Sequence, residues 1–235
     1  TLAYQWSRAG APIDGATATT YTPVAADLGK SLTVTATGTL AGRTATSKTS
    51  AAVTVSVGTL KSATPKLSGS VKVGSRVTAV PGAWTSGTRF SYQWKRSGSS
   101  IKGATGSTYT PTSSDRGTTL SVSVTGSLAG HTSVTKASAG SKVGYGTLTS
   151  STPKISGTVK VGKKLSVVRG TWTSGTSFSY QWYANGKAIK GKKSSTLTLG
   201  TSQRGKKITV KVTGKKSGYT TVSKASKATA KVAKK

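Results

Sequence analysis

Short runs in which apolar and polar residues alternate recur along the whole chain. KSLTVTATG from Lys30, TTLSVSVTG from Thr118 and KKITVKVTG from Lys206 are the clearest. Their period is two, and they are rich in Val and Thr, whose branched side chains suit a pleated, half-buried surface. Nothing in them carries a helical period. Turn signals separate the runs: Val73-Gly74, Val161-Gly162, Pro81-Gly82, Asn185-Gly186, and Gly103 or Gly191 before the next strand. Asn185-Gly186, between YQWYA and KAI, predicts a two-residue hairpin, because a type I′ turn needs positive φ at both central positions.

The alternation is repeated as a unit. YQW occurs at Tyr4 to Trp6, Tyr92 to Trp94 and Tyr180 to Trp182, a period of 88 residues. Trp84 and Trp172 keep the same spacing, as do GTLKSATPKLSG from Gly58 and GTLTSSTPKISG from Gly146. The chain therefore divides into residues 1–57, 58–145 and 146–235. Thr1 aligns with Arg89 and Ser177, so the first copy lacks the counterpart of residues 58–88. Short strands at this density predict an all-β protein of tandem antiparallel β-sandwiches, the first incomplete. The repeat register places Val80, Trp94, Leu120 and Val122 in one core, and Val168, Trp182, Ile208 and Val210 in the next. Trp6 should be more exposed than Trp94 or Trp182. Its repeat must be completed by upstream residues or by strands donated from a partner chain.

YQWKRSGSSI, STYT and DRGTTLSVSVTG together resemble the central portion of an immunoglobulin-type domain. The combination of YQW with I-x-GAT-x-STYT and D-x-G-x-x-L-x-V-x-VTG is similar to tandem repeats of secreted and surface actinobacterial proteins, where such repeats often follow hydrolases. The resemblance implies tandem immunoglobulin-like sandwiches, a secreted, cell-surface or cell-wall location, and room for a catalytic domain upstream of Thr1. The immunoglobulin cysteine pair is missing. By alignment Val80 and Val122, and Val168 and Val210, take its place.

Composition narrows the chemistry. There are 35 Lys and Arg, three Asp and Glu, one His and no Cys in 235 residues. That inventory argues against paired-carboxylate catalysis and against zinc or calcium sites, so no cofactor is expected. No apolar run is long enough for a membrane span, and no signal-peptide pattern opens the sequence. Asp27, Asp115 and Gln203 occupy one repeat position, which reads as a turn or capping site because Gln replaces the acid there. His131 aligns with Arg43 and Tyr219, and reads as an exposed loop residue. The many Ser and Thr have no base to activate them, and no phosphate-loop spacing occurs. Trp84 and Trp172 have two readings: an indole covering one end of the sandwich, or a platform that stacks on a sugar ring. Tyr145 and Tyr219 carry the same two readings.

Charge is distributed unevenly. Residues 1–57 hold four basic and two acidic groups, residues 58–145 eleven and one, and residues 146–235 twenty and none, giving +2, +10 and +20. One fold bearing such different charge means that the fold does not require it. The candidate polyanion-binding residues are Lys163, Lys164, Lys190, Lys192, Lys193, Lys206, Lys207, Lys215 and Lys216. Lysine's predominance over arginine argues against sequence-specific nucleic-acid readout. The expected partner is an anionic cell-wall polymer or acidic polysaccharide, held by a non-catalytic attachment region. The alternatives are a module stacking neutral glycan on Trp84 and Trp172, and a passive spacer or filament-forming repeat.

Overall fold

A computed structural model describes residues 1–235, and every regular element longer than three residues is a strand. Residues 58–145 build two facing sheets. In one, Arg89–Arg96 pairs antiparallel with Thr119–Ser127, flanked by Ser99–Ser100 on one side and Val134–Ala137 on the other. In the other, Val77–Val80 lies between Lys66–Ser68 and Thr108–Tyr109. Residues 146–235 repeat the plan. Ser177–Ala184 pairs with Ile208–Lys215 in the first sheet, and Lys164–Val168 is the middle strand of the second. The molecule is thus a tandem of immunoglobulin-like β-sandwiches.

Alternation dictates what lies between the sheets. In Thr119–Ser127, Leu120, Val122 and Val124 are fully buried, and Trp94 faces them from the paired strand. Ile208, Val210, Val212 and Trp182 are their fully buried counterparts in the third repeat. Each indole is tied down by its N–H: Trp94 Nε1 donates to Gly106 O at 2.9 Å and Trp182 Nε1 to Ser194 O at 2.9 Å. The hairpin at Asn185-Gly186 has φ of 44° and 77°, as a type I′ turn requires.

Two core positions differ from the sequence expectation. Val80 and Val168 are 43% and 50% exposed. Each ends its strand with the parity of the outward residues. The inward positions are Val77 and Ala79 in the second repeat and Leu165 in the third, with Val167 half-buried. A β-branched residue does not override parity, and the small Ala79 takes the inner place that the larger Val80 cannot reach.

The first 57 residues form a single sheet. Leu2–Arg8 pairs with Ser31–Gly38, edged by Ala11–Pro12, Thr46–Thr49 and Val53–Thr54. No second sheet covers it. Leu32, 6% exposed, is its only buried apolar residue, and Trp6 is half-buried where Trp94 and Trp182 have no exposure. Leu2, Val24, Leu28, Leu40 and Val53 all stand exposed.

Candidate functional site

Two of the three carboxylates are buried and fully occupied. Asp115 Oδ2 accepts from the Thr112 backbone N–H at 2.6 Å, the Tyr109 hydroxyl at 2.8 Å and Thr112 Oγ1 at 3.0 Å, while Oδ1 accepts from Arg96 Nε at 2.6 Å. Burial pushes this carboxyl's pKa up, but the Thr112 amide, Arg96, Tyr109 and the Thr112 hydroxyl together outweigh burial and hold it below the ordinary value. Asp27 repeats the arrangement with Val24, Arg8 and Tyr21, with the same net lowering. The expected cap is present and carries an ion pair and a tyrosine besides. In the third repeat the same three positions are Ala184, Leu197 and Gln203. Gln203 Oε1 keeps only the cap, accepting from the Gly200 N–H at 2.9 Å, while Leu197 and Ala184 join the apolar core. Asp14 is the one solvent-facing carboxylate in the chain.

Trp84 and Trp172 lie across glycines. A methyl group placed on Gly214 would fall 2.5 Å from Trp172 Cζ3, and Gly126 stands in the same relation to Trp84. Each indole also meets a phenylalanine edge-on, Trp84 with Phe90 at 5.4 Å and Trp172 with Phe178 at 5.3 Å. The Trp84 and Trp172 N–H groups donate to Pro81 O and Arg169 O, each at 3.1 Å. One face of each ring is therefore committed to its own sandwich. Tyr145 is 54% exposed, with the Arg116 guanidinium 4.7 Å over its ring.

His131 and Tyr219 sit where successive repeats meet. Tyr219 packs against the second repeat's core, and methyl groups on Gly74 or Gly146 would collide with its ring. Gly218 beside it lies against Ser113 and Val73 of the second repeat. His131 is half-buried against Gly58, and its neighbour Gly130 lies against Ala25 of the first repeat. The sequence carries no local sign of these contacts, since Tyr219 and Gly74 are far apart in the chain.

The nine candidate lysines fall into three groups. Lys163, Lys164, Lys206 and Lys207 come together at the end of the third repeat away from the second. There Leu199 N donates to Lys163 O, Gly205 N to Val232 O, and Lys207 bridges to Lys231. Lys160 bridges to Ala233 at the same end, adding Lys160 and Lys231 to the cations there. Lys190, Lys192 and Lys193 line a side loop whose Lys192 carbonyl accepts from Trp182 N. Lys215 and Lys216 lie at the opposite end, beside the second repeat. Lys216 is half-buried, donating to Ser174 O at 2.8 Å with its ammonium 4.9 Å over the Tyr219 ring. The other eight are exposed, and both ion pairs of the chain, Arg8 with Asp27 and Arg96 with Asp115, lie in the first two repeats.

No family model matches the sequence, and neither does any curated protein. Among solved structures the chain is similar to a Ca2+-stabilised adhesin with which an Antarctic bacterium binds ice, at 13% identity and a TM-score of 0.38, covering 100% of this chain and 66% of that one. It is also similar to three N-terminal domains of the highly immunogenic outer capsid protein of bacteriophage RB49, at 16% identity and a TM-score of 0.28, covering 98% and 88%. The D1–D4 ectodomain fragment of ICAM-5 matches at 14% identity and a TM-score of 0.32, covering 99% and 67%.

Proposed function

We propose that the chain is a non-catalytic attachment region whose third repeat holds a secreted protein on an anionic cell-wall polymer or acidic polysaccharide. The observation that supports this is a constant scaffold with a rising charge: twenty cations and no carboxylate in residues 146–235, against eleven and one in residues 58–145. The third repeat sheds its buried acid and that acid's arginine together, as Gln203 and Ala184, so its added charge comes from other positions. Solubility alone would be served at least as well by acidic residues. Clustered exposed lysines instead create a positive field that a flexible polyanion can follow, releasing its counterions as it binds.

Binding of the full chain to purified cell walls, before and after their anionic polymers are stripped, tests the reading. Changing Lys163, Lys164, Lys206 and Lys207 together to Gln should weaken binding at low salt by about tenfold or more, and stripping or high salt should release the unaltered chain. Binding that survives both treatments but is lost in Trp172→Ala would replace this reading with glycan stacking. No binding under any condition would leave a spacer.

A further inference from the structure

Trp84 and Trp172 occupy one repeat position, yet their surroundings differ in charge. Where the second repeat has Pro81 and Leu128, the third has Arg169 and Lys216. Leu128 and Lys216 take the same path, over the turns at Gly87 and Gly175 that follow the two tryptophans. Pro81 and Arg169 each supply the carbonyl that accepts the indole N–H.

Both cations are held in place. Arg169 Cζ lies 4.4 Å over the Phe178 ring, which itself meets Trp172 edge-on at 5.3 Å, and Arg169 Nη1 donates to the Tyr180 hydroxyl at 2.9 Å. The Lys216 ammonium donates to Ser174 O at 2.8 Å and stands 4.9 Å over the Tyr219 ring. These contacts fix the charges without cancelling them, because residues 146–235 contain no Asp or Glu and both ion pairs of the chain lie elsewhere. Ordering a long side chain costs rotamer entropy, and charge that served solubility alone would gain nothing from it. Arg169 is also one of only two arginines among the twenty cations of this repeat.

We propose that Trp172, Arg169 and Lys216 form a subsite for an acidic sugar, a hexuronate residue within a polysaccharide. Trp172 has one face on Gly214 and keeps part of its surface in solvent, where the apolar face of a pyranose ring can stack. The guanidinium retains Nε and Nη2 as free donors, whose planar fork matches a carboxylate at the edge of that ring. Lys216 has two ammonium hydrogens left for the same group. A hexuronate joins ring face and carboxylate in one unit, whereas a phosphodiester chain brings charge without a ring face at a fixed distance from it. The inference rests on the reading that the third repeat binds a polyanion, and it names the monomer bound beside the second repeat.

Tetragalacturonic acid titrated onto the full chain tests the proposal by NMR, with the indole N–H resonances of the five tryptophans as reporters. Trp172 should shift to saturation, and Trp84, which lacks the two cations, should not move. Arg169→Pro combined with Lys216→Leu installs the residues that the second repeat already accommodates, and should weaken binding by about tenfold or more through lost charge-assisted hydrogen bonds. The Trp182 resonance reports that the core of the variant is intact. Equal shifts at Trp84 and Trp172, undiminished binding by the variant, or binding at Trp172 of maltotetraose or poly(glycerol phosphate) as tight as that of tetragalacturonic acid would each overturn the subsite. A chain that ignores tetragalacturonic acid but still binds cell walls in a salt-sensitive way would lose the subsite and keep its attachment role, whereas failure of both would remove both.

Discussion

At the scale of residues, the chain contains its own replacement experiment. The second repeat stabilises the 3₁₀ turn at Ser113–Asp115 with a buried carboxylate paired to a half-exposed arginine and a tyrosine, and the third builds the same turn at Thr201–Gln203 with an amide and apolar neighbours. Both solutions fold, in keeping with the rule that a buried ion pair can be exchanged for packed apolar groups while the loss of one partner is costly. Asp115→Ala should therefore destabilise the second repeat by about 3 kcal/mol, because it strands the Thr112 amide and the Tyr109 hydroxyl, whereas Gln203→Ala should cost about 1 kcal/mol. The same comparison sets the response to acid. The Asp115 pKa is lowered in the folded state, so its stabilisation is present above the unfolded value of about 3.9 and is lost as pH falls through the folded value. The third repeat has no acid to titrate. Amide exchange at Val122 and Val210 offers matched probes, since both N–H groups donate to buried serine hydroxyls at 3.0 and 3.1 Å. Protection at Val122 should fall below about pH 4 while protection at Val210 holds. Equal loss at both sites would assign acid sensitivity to the charge of the whole molecule.

At the scale of elements, parity and close approach decide what the strands can carry. Trp94, Trp182, Leu120, Val122, Ile208 and Val210 were legible in the sequence because alternation and the 88-residue period agree on them. Val80 and Val168 are hydrophobic at strand ends where parity turns them outward, so hydrophobicity alone points the wrong way there. The role of the second tryptophan was not legible, because the glycine it covers lies forty-two residues on, in the strand of Gly126 or Gly214. A glycine in a strand usually marks such an approach, and that was the available signal. Two substitutions separate packing from conformation. Gly214→Ala puts a methyl group against the Trp172 ring and should cost about 2 kcal/mol while exposing the indole. Gly186→Ala meets nothing within 4 Å but holds φ of 77°, and should cost about 1 kcal/mol with the Trp172 environment unchanged. Denaturant unfolding with tryptophan fluorescence reads both, and an unmoved emission maximum in Gly214→Ala would show that the ring has room to slide.

At the scale of the whole molecule, the two junctions are built unequally, and the difference lies in His131, which the sequence offered as a loop position, and Tyr219, which it offered as a cover for the sandwich end or a platform for sugar. Contacts between repeats join positions with no shared local pattern, so period and alternation are silent about them. The junction of the second and third repeats seats the Tyr219 ring against Gly74 and Gly146, stacks Lys216 on that ring, and lays Gly218 on Ser113 and Val73. The junction of the first and second has Gly130 on Ala25, with the smaller His131 ring against Gly58. A large ring packed between two domains restrains their relative rotation, whereas a small contact permits it. The Tyr219 ring should therefore restrain the third repeat against the second. Tyr219→Ala should release this restraint without unfolding either repeat, because Val210, Trp182 and their neighbours form a core separate from the one Tyr219 touches. Residual dipolar couplings measured on the full chain should then need independent alignment tensors for residues 58–145 and 146–235, where the unaltered chain needs one. Amide protection at Val210 should change by less than about 0.5 kcal/mol. If one tensor still fits the variant, the backbone contacts around Gly146 and Gly218 hold the junction without the ring.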